Sequence, residues 1–375
     1  MQFNMDLLRP FRMRRAFFTG LLHIALVTIV IGACVTHFFG EQGEVHLRYN
    51  EATSLTTRHS TLSLFLWDFQ ILYADDGQTP KDFVSELRIL DRGKGAAASQ
   101  QQMTVDAGSV RMNKPLRYHN YRFCQSDYDS DGLGVVLSYN YDPWGIGLTY
   151  AGYAMLLLAM IGFFFQKRTY FRSLLRKQHT WLMVGLGVFV LVMAVVMTRV
   201  VTPKPPLQPV LQTPLLGIHV SVIMLAYTLF AVIMVNGIIG LCAPARRDGL
   251  MQLSQVLLYP ALFSLTAGIF IGAVWANLSW GRYWGWDPKE TWALITMLVY
   301  AALLHLPFIK FPNTHVQSGT PAHSGQLAES GTSSANQRDK RAIIYHVFSI
   351  IAFFFVLFTY FGVNRLLGGL HSYAN

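Results

Sequence analysis

The sequence is poor in charged residues and in cysteine. Asp, Glu, Lys and Arg make up 13% of its 375 residues, whereas 52% of the residues are hydrophobic. A soluble domain carries about 25% charged residues, so this composition argues against a soluble protein. The three cysteines, Cys34, Cys124 and Cys242, are far apart and form no CxxC pair. Their spacing argues against a disulfide framework, a zinc–thiolate site and a thiol–disulfide exchange role.

Long apolar runs occupy much of the chain instead. Seven of them come close to or exceed the ~20 residues needed to cross a bilayer. These runs cover residues 16–39, 145–165, 181–200, 217–240, 256–278, 291–309 and 342–361. The first run is longer than the apolar core of a signal peptide and has no obvious small-residue cleavage site, so we expect it to be retained.

The net charge of +10 is concentrated in short loops between these runs. The basic residues of 167–177, 246–247 and 310–341 all fall on the side of the N terminus if the spans alternate. This is the positive-inside pattern of a membrane protein, and it argues against nucleic acid as a partner. The sequence therefore predicts a cytoplasmic N terminus, with the loop 275–292 and the C terminus on the outer side of the membrane.

Residues 40–143 differ from the rest because they are polar and alternate as strands do. The fold class predicted is a polytopic α-helical membrane protein of about seven spans with one extracytoplasmic β-rich domain. The domains predicted are residues 1–39 (cytoplasmic N terminus and first span), 40–143 (β domain), 144–178 (second span and basic loop) and 179–375 (membrane domain). Within the last, residues 312–337 are rich in Ser, Gly, Thr, Asn and Gln, which predicts a disordered cytoplasmic loop.

A tryptophan-rich stretch, WANLSWGRYWGWDPKETW, fills residues 275–292. It contains five of the eight tryptophans of the chain and one central acid, Asp287. One interpretation is an aromatic belt at the membrane surface, where the Trp ring is apolar and its N–H finds a partner. A belt distributes its aromatic residues over many helix ends, however. Five in one loop also suit a flat platform for a large planar ligand, and both interpretations stand on composition alone.

Three segments carry a family resemblance. WGRYWGWDPKETW resembles the tryptophan-rich "WWD" signature of haem-handling proteins, in the form found in the CcsA (ResC) family of cytochrome c maturation. YRFCQSDYDSDGLGVVLSYNYDPWG and THFFGEQGEVHLRYNE resemble the extracytoplasmic part of CcsB (ResB), the usual partner of CcsA. The chain therefore resembles a fused CcsB–CcsA synthase of system II. Fused relatives often have more spans before this point, so a shortened CcsB half is expected.

Two histidines are predicted at the outer surface. His219 opens a span and His371 follows the last span. Either one alone is most simply an interfacial residue bonded to a carbonyl, but a pair beside the Trp-rich stretch suits axial ligation of haem iron. The LQTP…H and LHSY contexts also resemble those of the external haem ligands of CcsA.

Two further histidines are predicted within the bilayer. His23 lies eight residues past Arg15 and His305 five residues before Lys310, which places both in the cytoplasmic half. Polar groups at that depth usually face a partner or a ligand. The simpler interpretation of each histidine is a hydrogen bond between helices. LLHIALVTIVIGA and YAALLHLPF resemble the transmembrane-histidine segments of CcsB and CcsA, which implies a second bis-His site. His346 is the main rival for this role, at similar depth in the last span.

The resemblance implies a function in cytochrome c biogenesis. Haem b would be carried to the external loop and attached to the CxxCH motif of an apocytochrome c, with a thiol-reducing system as a candidate partner. Trp280, Trp284, Trp286 and Asp287 would position haem and substrate, and Trp275 and Trp292 would complete the haem site. Asp287 is equally open to a structural role, as the ion-pair partner of Arg282 or Lys289.

Two other functions are compatible with the same residues. Four histidines at two depths also suit a di-haem electron carrier between quinol and an external acceptor. Such carriers usually hold both haems between helices, whereas the outer pair here lies at a surface loop. A haem exporter or chaperone without ligase activity is the third possibility.

Overall fold

A computed structural model describes residues 9–91, 104–166, 209–306 and 326–367, together with isolated helical positions between residues 171 and 195. Side chains are not described for residues 9–16, 91, 104–105 and 326–335. The chain forms two compact units. The first contains the described chain up to Phe165, the segment that ends at His219, and the stretch Phe270–Gly285. The second contains Val220–Ile269 and the chain from Trp286 onward.

The β domain of the first unit consists of eight antiparallel strands. They are β1 (Glu41–Arg48), β2 (Ala52–Thr56), β3 (Thr61–Tyr73), β4 (Pro80–Asp91), β5 (Thr104–Arg111), β6 (Leu116–Tyr118), β7 (Tyr121–Tyr128) and β8 (Gly134–Tyr141). One sheet has the order β1-β8-β7-β6 and the other the order β2-β3-β4-β5. The prediction of a β-rich domain in this part of the chain is confirmed.

Alternating apolar residues of both sheets form one core in this domain. Leu47 and Phe123 of the first sheet and Leu64 and Ile89 of the second are all fully buried. The polar residues between them face outward, as the period of a half-buried strand requires. The long strand-like run 109–129 is divided into β5, β6 and β7, because Asn113 and His119 adopt positive φ angles of 62° and 49°.

Helices α1 (Arg9–Phe39) and α2 (Gly145–Phe165) flank the β domain in sequence and pack against each other. Small residues allow their backbones to approach closely. A Cβ at Gly152 would lie 2.5 Å from Cγ1 of Ile29, and one at Gly162 would overlap the Phe18 ring. Large apolar side chains on the opposite face of α1, such as Val27 and Val30, are exposed as lipid-facing residues are.

Four further helices of the described chain follow. They are α3 (Pro214–Cys242), α4 (Arg247–Ser279), α5 (Pro288–His305) and α6 (Gln326–Leu357). A π-helical segment, Phe358–Gly362, and a last turn, Val363–Leu366, follow α6. In the second unit these helices share an apolar core in which the Phe230 and Tyr300 rings stack with centroids 3.7 Å apart.

Five of the described helices are long and apolar enough to cross a membrane, so the protein is a multi-pass membrane protein. They are Phe17–Phe39, Gly145–Phe165, Pro214–Cys242, Pro244–Ser279 and Asn336–Leu366. Helix α5, which corresponds to the predicted span 291–309, has 18 residues and a polar first turn and is not among them. The predicted span 181–200 lies largely outside the described residues. Seven spans therefore remain a prediction.

Two helix boundaries differ from the sequence-based expectation. α6 begins at Gln326, whereas a disordered loop was predicted up to residue 337. Polar residues cannot build a core, but Gln, Leu, Ala and Glu are good helix formers and can extend a helix that is already nucleated by an apolar segment. α4 begins at Arg247, so that Pro260 lies in its interior rather than near its start. Membrane helices tolerate such a proline when neighbouring groups satisfy the freed carbonyl.

Candidate functional site

The Trp-rich stretch consists of the end of α4, an irregular loop from Trp280 to Asp287, and the start of α5. Its residues up to Gly285 belong to the first unit and those from Trp286 onward to the second. The tryptophans therefore have different structural roles, which follow from their burial.

Trp275 belongs to the core and not to an exposed surface. Its side chain is 1% exposed, and its ring meets that of Trp280 edge to face, with centroids 4.8 Å apart and planes inclined by 68°. Edge-to-face contact of this kind is favoured by the ring quadrupole. These two rings are consequently not coplanar, contrary to the expectation of one flat array. Trp275 is placed to support Trp280, which is itself partly buried.

Trp286 is the most exposed residue of the stretch. Its side chain is 73% exposed and its φ angle is +55°. A bulky non-glycine residue rarely adopts this left-handed conformation, and holding it there costs about 1–3 kcal/mol. A strained backbone that leaves a large apolar ring mostly exposed does not contribute to a core, and such strain is concentrated at functional sites.

Asp287 is a helix cap. Its Oδ1 accepts from the backbone N–H of Lys289 at 2.9 Å, and the carboxylate of Glu290 accepts from the N–H of Asp287 at 3.3 Å. This reciprocal capping box starts α5, with Pro288 at its first position. The Lys289 ammonium donates to Oδ1 of Asn364 at 3.1 Å. The run Asp-Pro-Lys-Glu already carries the capping signal, which could have been recognised in the sequence.

Trp292 lies on α5 and packs on the end of the last helix. Its ring centroid is 4.3 Å from that of Phe358, the first residue of the π-helical segment. The hydroxyl of Thr296 donates to the Trp292 carbonyl at 2.8 Å and lies 3.0 Å from that of Thr359, which donates to the Phe355 carbonyl at 2.7 Å. Single π-helical turns occur frequently at functional sites. This one precedes the C-terminal segment that contains His371, which lies outside the described residues.

His219 of α3 lies against Gly272 of α4 in the first unit. A Cβ at Gly272 would lie 2.6 Å from Cε1 and 2.7 Å from Nδ1 of the imidazole. Only glycine leaves room for the ring in this position, so the absence of a side chain at Gly272 determines where His219 can lie. The ring is partly buried. The sequence predicted His219 as a ligand, but Gly272 was not recognised from its position in an apolar run.

His23 and His305 have the same local geometry. Nδ1 of His23 lies 2.7 Å from the Thr19 carbonyl, and Nδ1 of His305 lies 2.9 Å from the Ala301 carbonyl, each four residues earlier on its own helix. A carbonyl can only accept, so each Nδ1 carries the hydrogen and each Nε2 presents a lone pair. Both side chains are exposed. A histidine that ligates a metal usually donates its other N–H in this way, which fixes the tautomer.

His346 is arranged differently from these two histidines. It is fully buried, its Nε2 lies 3.0 Å from the Arg247 carbonyl, and its ring lies flat against Gly240. The nitrogen that points at the carbonyl carries the hydrogen, so this imidazole joins α6 to α4 within the second unit. This is the hydrogen bond between helices that is the ordinary explanation for a buried histidine.

A group of polar residues that the sequence did not single out ties the Trp-rich stretch to the rest of the first unit. Arg122 donates from Nη1 to Oδ1 of Asn277 at 2.7 Å, and Asn140 donates from Nδ2 to the Gly281 carbonyl at 2.8 Å. Burial lowers the pKa of Arg122, and the charge of Arg117 lowers it further. Burial also raises the pKa of the neighbouring Cys124 thiol to about 12. Nothing in the local sequence of β7 or β8 predicts these contacts.

Comparison with known families divides the chain at the start of α2. Residues 14–142 match the ResB-like family, and residues 146–320 match the family described as Cytochrome C assembly protein. The chain joins a ResB-like part to a cytochrome c assembly part. The resemblance drawn from the Trp-rich signature and the strand segments is thereby confirmed, and the boundary coincides with the end of β8.

Curated relatives match part of the chain. Protein NrfI of Wolinella succinogenes is 37% identical over 179 residues, which cover 45% of this chain and 17% of NrfI. Cytochrome c biogenesis protein CcsA of Chlamydomonas reinhardtii is 35% identical over 180 residues, covering 45% of this chain and 43% of that protein. CcsA of Marchantia polymorpha is 45% identical over 110 residues, covering 29% and 26%. The matches thus span less than half the length of each of these relatives.

Proposed function

We propose that this protein transfers haem to an external Trp-rich loop and joins it covalently to the CxxCH motif of an apocytochrome c. Haem b is the cargo, and the cytoplasmic membrane of a bacterium is the site of action. His23 and His305 would hold haem on the cytoplasmic side. His219 and His371 would hold it on the outer side, next to Trp280, Trp284 and Trp286.

The observation that carries this proposal is the conformation of Trp286. A 73% exposed indole on a backbone with φ of +55° offers a large planar apolar face to a ligand. Stacking on an aromatic face suits a flat macrocycle such as haem. Asp287 supports this arrangement because its capping box fixes the chain immediately after Trp286. Trp275, which is buried, and Trp292, which packs on Phe358, would support the site from beneath rather than cover the haem.

The inner histidines also fit haem as a ligand. In His23 and His305 the bond from Nδ1 to a carbonyl leaves Nε2 as the lone-pair nitrogen, and the side chains are exposed where a macrocycle could reach them. Neutral imidazole is the common axial ligand of haem iron. His346 fits less well, since its ring is enclosed between Gly240 and the Arg247 carbonyl.

The chemical step is an addition reaction, so it releases no leaving group. Each of the two cysteine thiols adds across one vinyl group, so that a C–S bond forms, the vinyl C=C becomes a single bond and the thiol hydrogen goes to the other vinyl carbon. The protein contributes orientation, by holding the vinyl edge and the CxxCH peptide together. Because the substrate thiols must be reduced, a thiol-reducing system is a proposed partner.

The test is co-expression of the full chain with an apocytochrome that carries CxxCH, in a host that lacks other maturation proteins. We expect haem that stays on the cytochrome through denaturing gel electrophoresis, whereas haem bound to the protein itself is removed by acid acetone. Changing both substrate cysteines to alanine should abolish the covalent product without emptying the protein of haem. His219→Gly or His371→Gly should lower haem content, and added imidazole should restore it in part.

Other outcomes of the same experiment would support different functions. Haem-loaded protein that never yields covalent cytochrome but is reduced rapidly by quinol would indicate an electron carrier. Haem-loaded protein with neither property would indicate an exporter or chaperone. Purified protein with no Soret band after haem-replete expression would exclude all three.

A further inference from the structure

Several chains of polar contacts attach the stretch Phe270–Gly285 to elements far away in sequence, and three of them bear on the loop. The first runs from the β domain to α2 through Asn277. Arg122 on β7 donates to Oδ1 of Asn277 at 2.7 Å, and Nδ2 of Asn277 donates to the hydroxyl of Tyr150 on α2 at 2.8 Å. Asn277 is 2% exposed and uses both ends of its amide in these two bonds. It therefore fixes the end of α4 against two elements at once.

The second contact holds the loop itself. Nδ2 of Asn140 on β8 donates to the Gly281 carbonyl at 2.8 Å. Gly281 has a φ of +75°, and a Cβ there would lie 3.1 Å from Sγ of Cys124. The absence of a side chain thus permits both the left-handed turn and the close approach of the loop to β7. Trp280 precedes this anchored glycine directly.

The third contact is a line of hydroxyl groups that ends at a carboxylate. The hydroxyl of Thr149 donates to that of Tyr283 at 3.2 Å, Tyr283 donates to Thr36 at 3.0 Å, and Thr36 donates to Asp142 at 2.6 Å. Tyr283 is 6% exposed. Because Thr36 lies on α1 and Asp142 follows β8, the ResB-like part supplies the end of this line, and Tyr283 immediately precedes Trp284.

These contacts are poorly explained as stabilising interactions alone. Arg122 is partly buried, and in the part of the chain that the structure describes it forms no salt bridge and donates only to an amide oxygen. Burial of a guanidinium without a carboxylate contributes little to folding. What such directional bonds do provide is geometry, because loss of one partner leaves a buried polar group unsatisfied.

We propose that Arg122, Asn140 and Thr36 of the ResB-like part are positioning residues for the haem-handling loop. They hold Asn277, Gly281 and Tyr283, and through them the backbone that carries Trp280 and Trp284. This inference rests on the proposed function for its link to catalysis, but the anchoring itself does not depend on haem.

The experiment compares variants of the full chain that remove one anchor with a matched control. Arg122→Gln and Asn277→Ala each break the first contact, and Asn140→Asp replaces the donor to Gly281 by an acceptor. Arg117→Gln is the control, because Arg117 is the exposed cross-strand neighbour of Arg122. Three properties are measured: the yield of covalent cytochrome per folded protein, the visible spectrum of bound haem, and the rate of tryptic cleavage after Arg282 as determined by mass spectrometry.

We expect each anchor variant to lower the covalent yield by about tenfold, in line with the loss of a hydrogen bond to a charged or buried group. The haem spectrum should shift and cleavage after Arg282 should accelerate, while Arg117→Gln behaves as the wild type. Arg122→Gln combined with Asn277→Ala should be no worse than Asn277→Ala alone, because Asn277→Ala already removes the contact with Arg122. Arg122→Lys, which keeps a donor, should recover part of the yield.

Two results would overturn the inference. One is additive loss in the Arg122→Gln, Asn277→Ala double variant. The other is an unchanged spectrum and cleavage rate in Arg122→Gln and Asn140→Asp, whether the yield is unchanged or falls only with the amount of folded protein. If the wild type makes no covalent cytochrome, the proposed function fails instead, and faster tryptic cleavage of the anchor variants would still support the positioning role.

Discussion

The imidazole of His219 lies where a side chain of Gly272 would otherwise be, since a Cβ at that glycine would be 2.6 Å from Cε1 of the ring. The two residues are 53 positions apart in the sequence and lie on successive helices. A candidate iron ligand is therefore oriented by a glycine that has no chemistry of its own.

Gly272→Ala should consequently act as a ligand mutation. The added methyl group would displace the His219 ring, and we expect haem binding at the outer site to weaken by about tenfold, or ~1.4 kcal/mol. Haem content of the purified protein and the Soret spectrum are the measurements. Gly217→Ala is the matched control, because a Cβ at Gly217 meets no atom within 4 Å. Equal haem content in the two variants would show that Gly272 does not orient the ligand.

Trp286 allows backbone strain and ring chemistry to be separated. Trp286→Gly removes the ring and relieves the backbone strain of the positive φ angle. We therefore expect the free energy of unfolding to be unchanged or to rise by about 1 kcal/mol. The yield of covalent cytochrome should nevertheless fall. Trp144→Ala, which removes an indole that is 70% exposed outside the loop, should leave the yield unchanged. A Trp286→Gly variant with full yield would mean that the ring is not part of the platform.

The proposed inner-site histidines, His23 and His305, are distinguished from His346 by the type of defect expected. His23→Gly and His305→Gly should lower haem delivery, and added imidazole should restore part of it, because an exposed Nε2 is lost without damage to the core. His346→Ala removes a buried side chain and its hydrogen bond to the Arg247 carbonyl, which should destabilise the protein by about 1–3 kcal/mol. The haem spectrum of its folded fraction should stay unchanged. Loss of haem delivery in His346→Ala alone would show that the wrong histidine has been assigned to the inner site.

Substitutions of Asp287 can separate capping from charge. Asn is as good an N-cap residue as Asp, whereas Ala loses about 1 kcal/mol of helix stability. If the carboxylate acts only as a cap, Asp287→Asn should retain the yield of covalent cytochrome and Asp287→Ala should lower it. Both variants are compared by yield and by thermal unfolding. A total loss of yield in Asp287→Asn, at unchanged stability, would assign a role to the negative charge itself.

The thiol of Cys124 should not react with alkylating agents in the folded protein. Burial raises the pKa of its thiol from 9.0 to about 12, and only the thiolate reacts with alkylating agents. Because the folded pKa is the higher one, the contribution of Cys124 to stability is complete below pH 9 and is lost as the pH rises towards 12. At pH 8, iodoacetamide should label Cys124 only after unfolding, and the exposed Cys242 should react first. Equal labelling rates in the folded protein would contradict the packing of Gly281 over β7.

Local patterns were sufficient for several elements of this fold. The predicted run 145–165 and the helix Gly145–Phe165 coincide because an uninterrupted apolar segment satisfies its own backbone hydrogen bonds in a membrane. The alternation of apolar and polar residues in β3 and β4 predicted these strands for a similar reason, since successive residues of a strand point to opposite faces of the sheet. The capping box of Asp287 and Glu290 was equally local and could have been recognised.

The sequence by itself determined that this is a membrane protein with a β domain, which families its two parts resemble, and which histidines and tryptophans are candidates for haem. These properties depend on composition, periodicity and short motifs. Only the tertiary structure decided that Trp275 is buried while Trp286 is exposed, that Gly272 makes room for His219, and that Arg122 and Asn140 reach the loop. The physical reason is that steric fit and hydrogen bonding act between atoms brought together by folding, and the residues that carry them lie up to 247 positions apart.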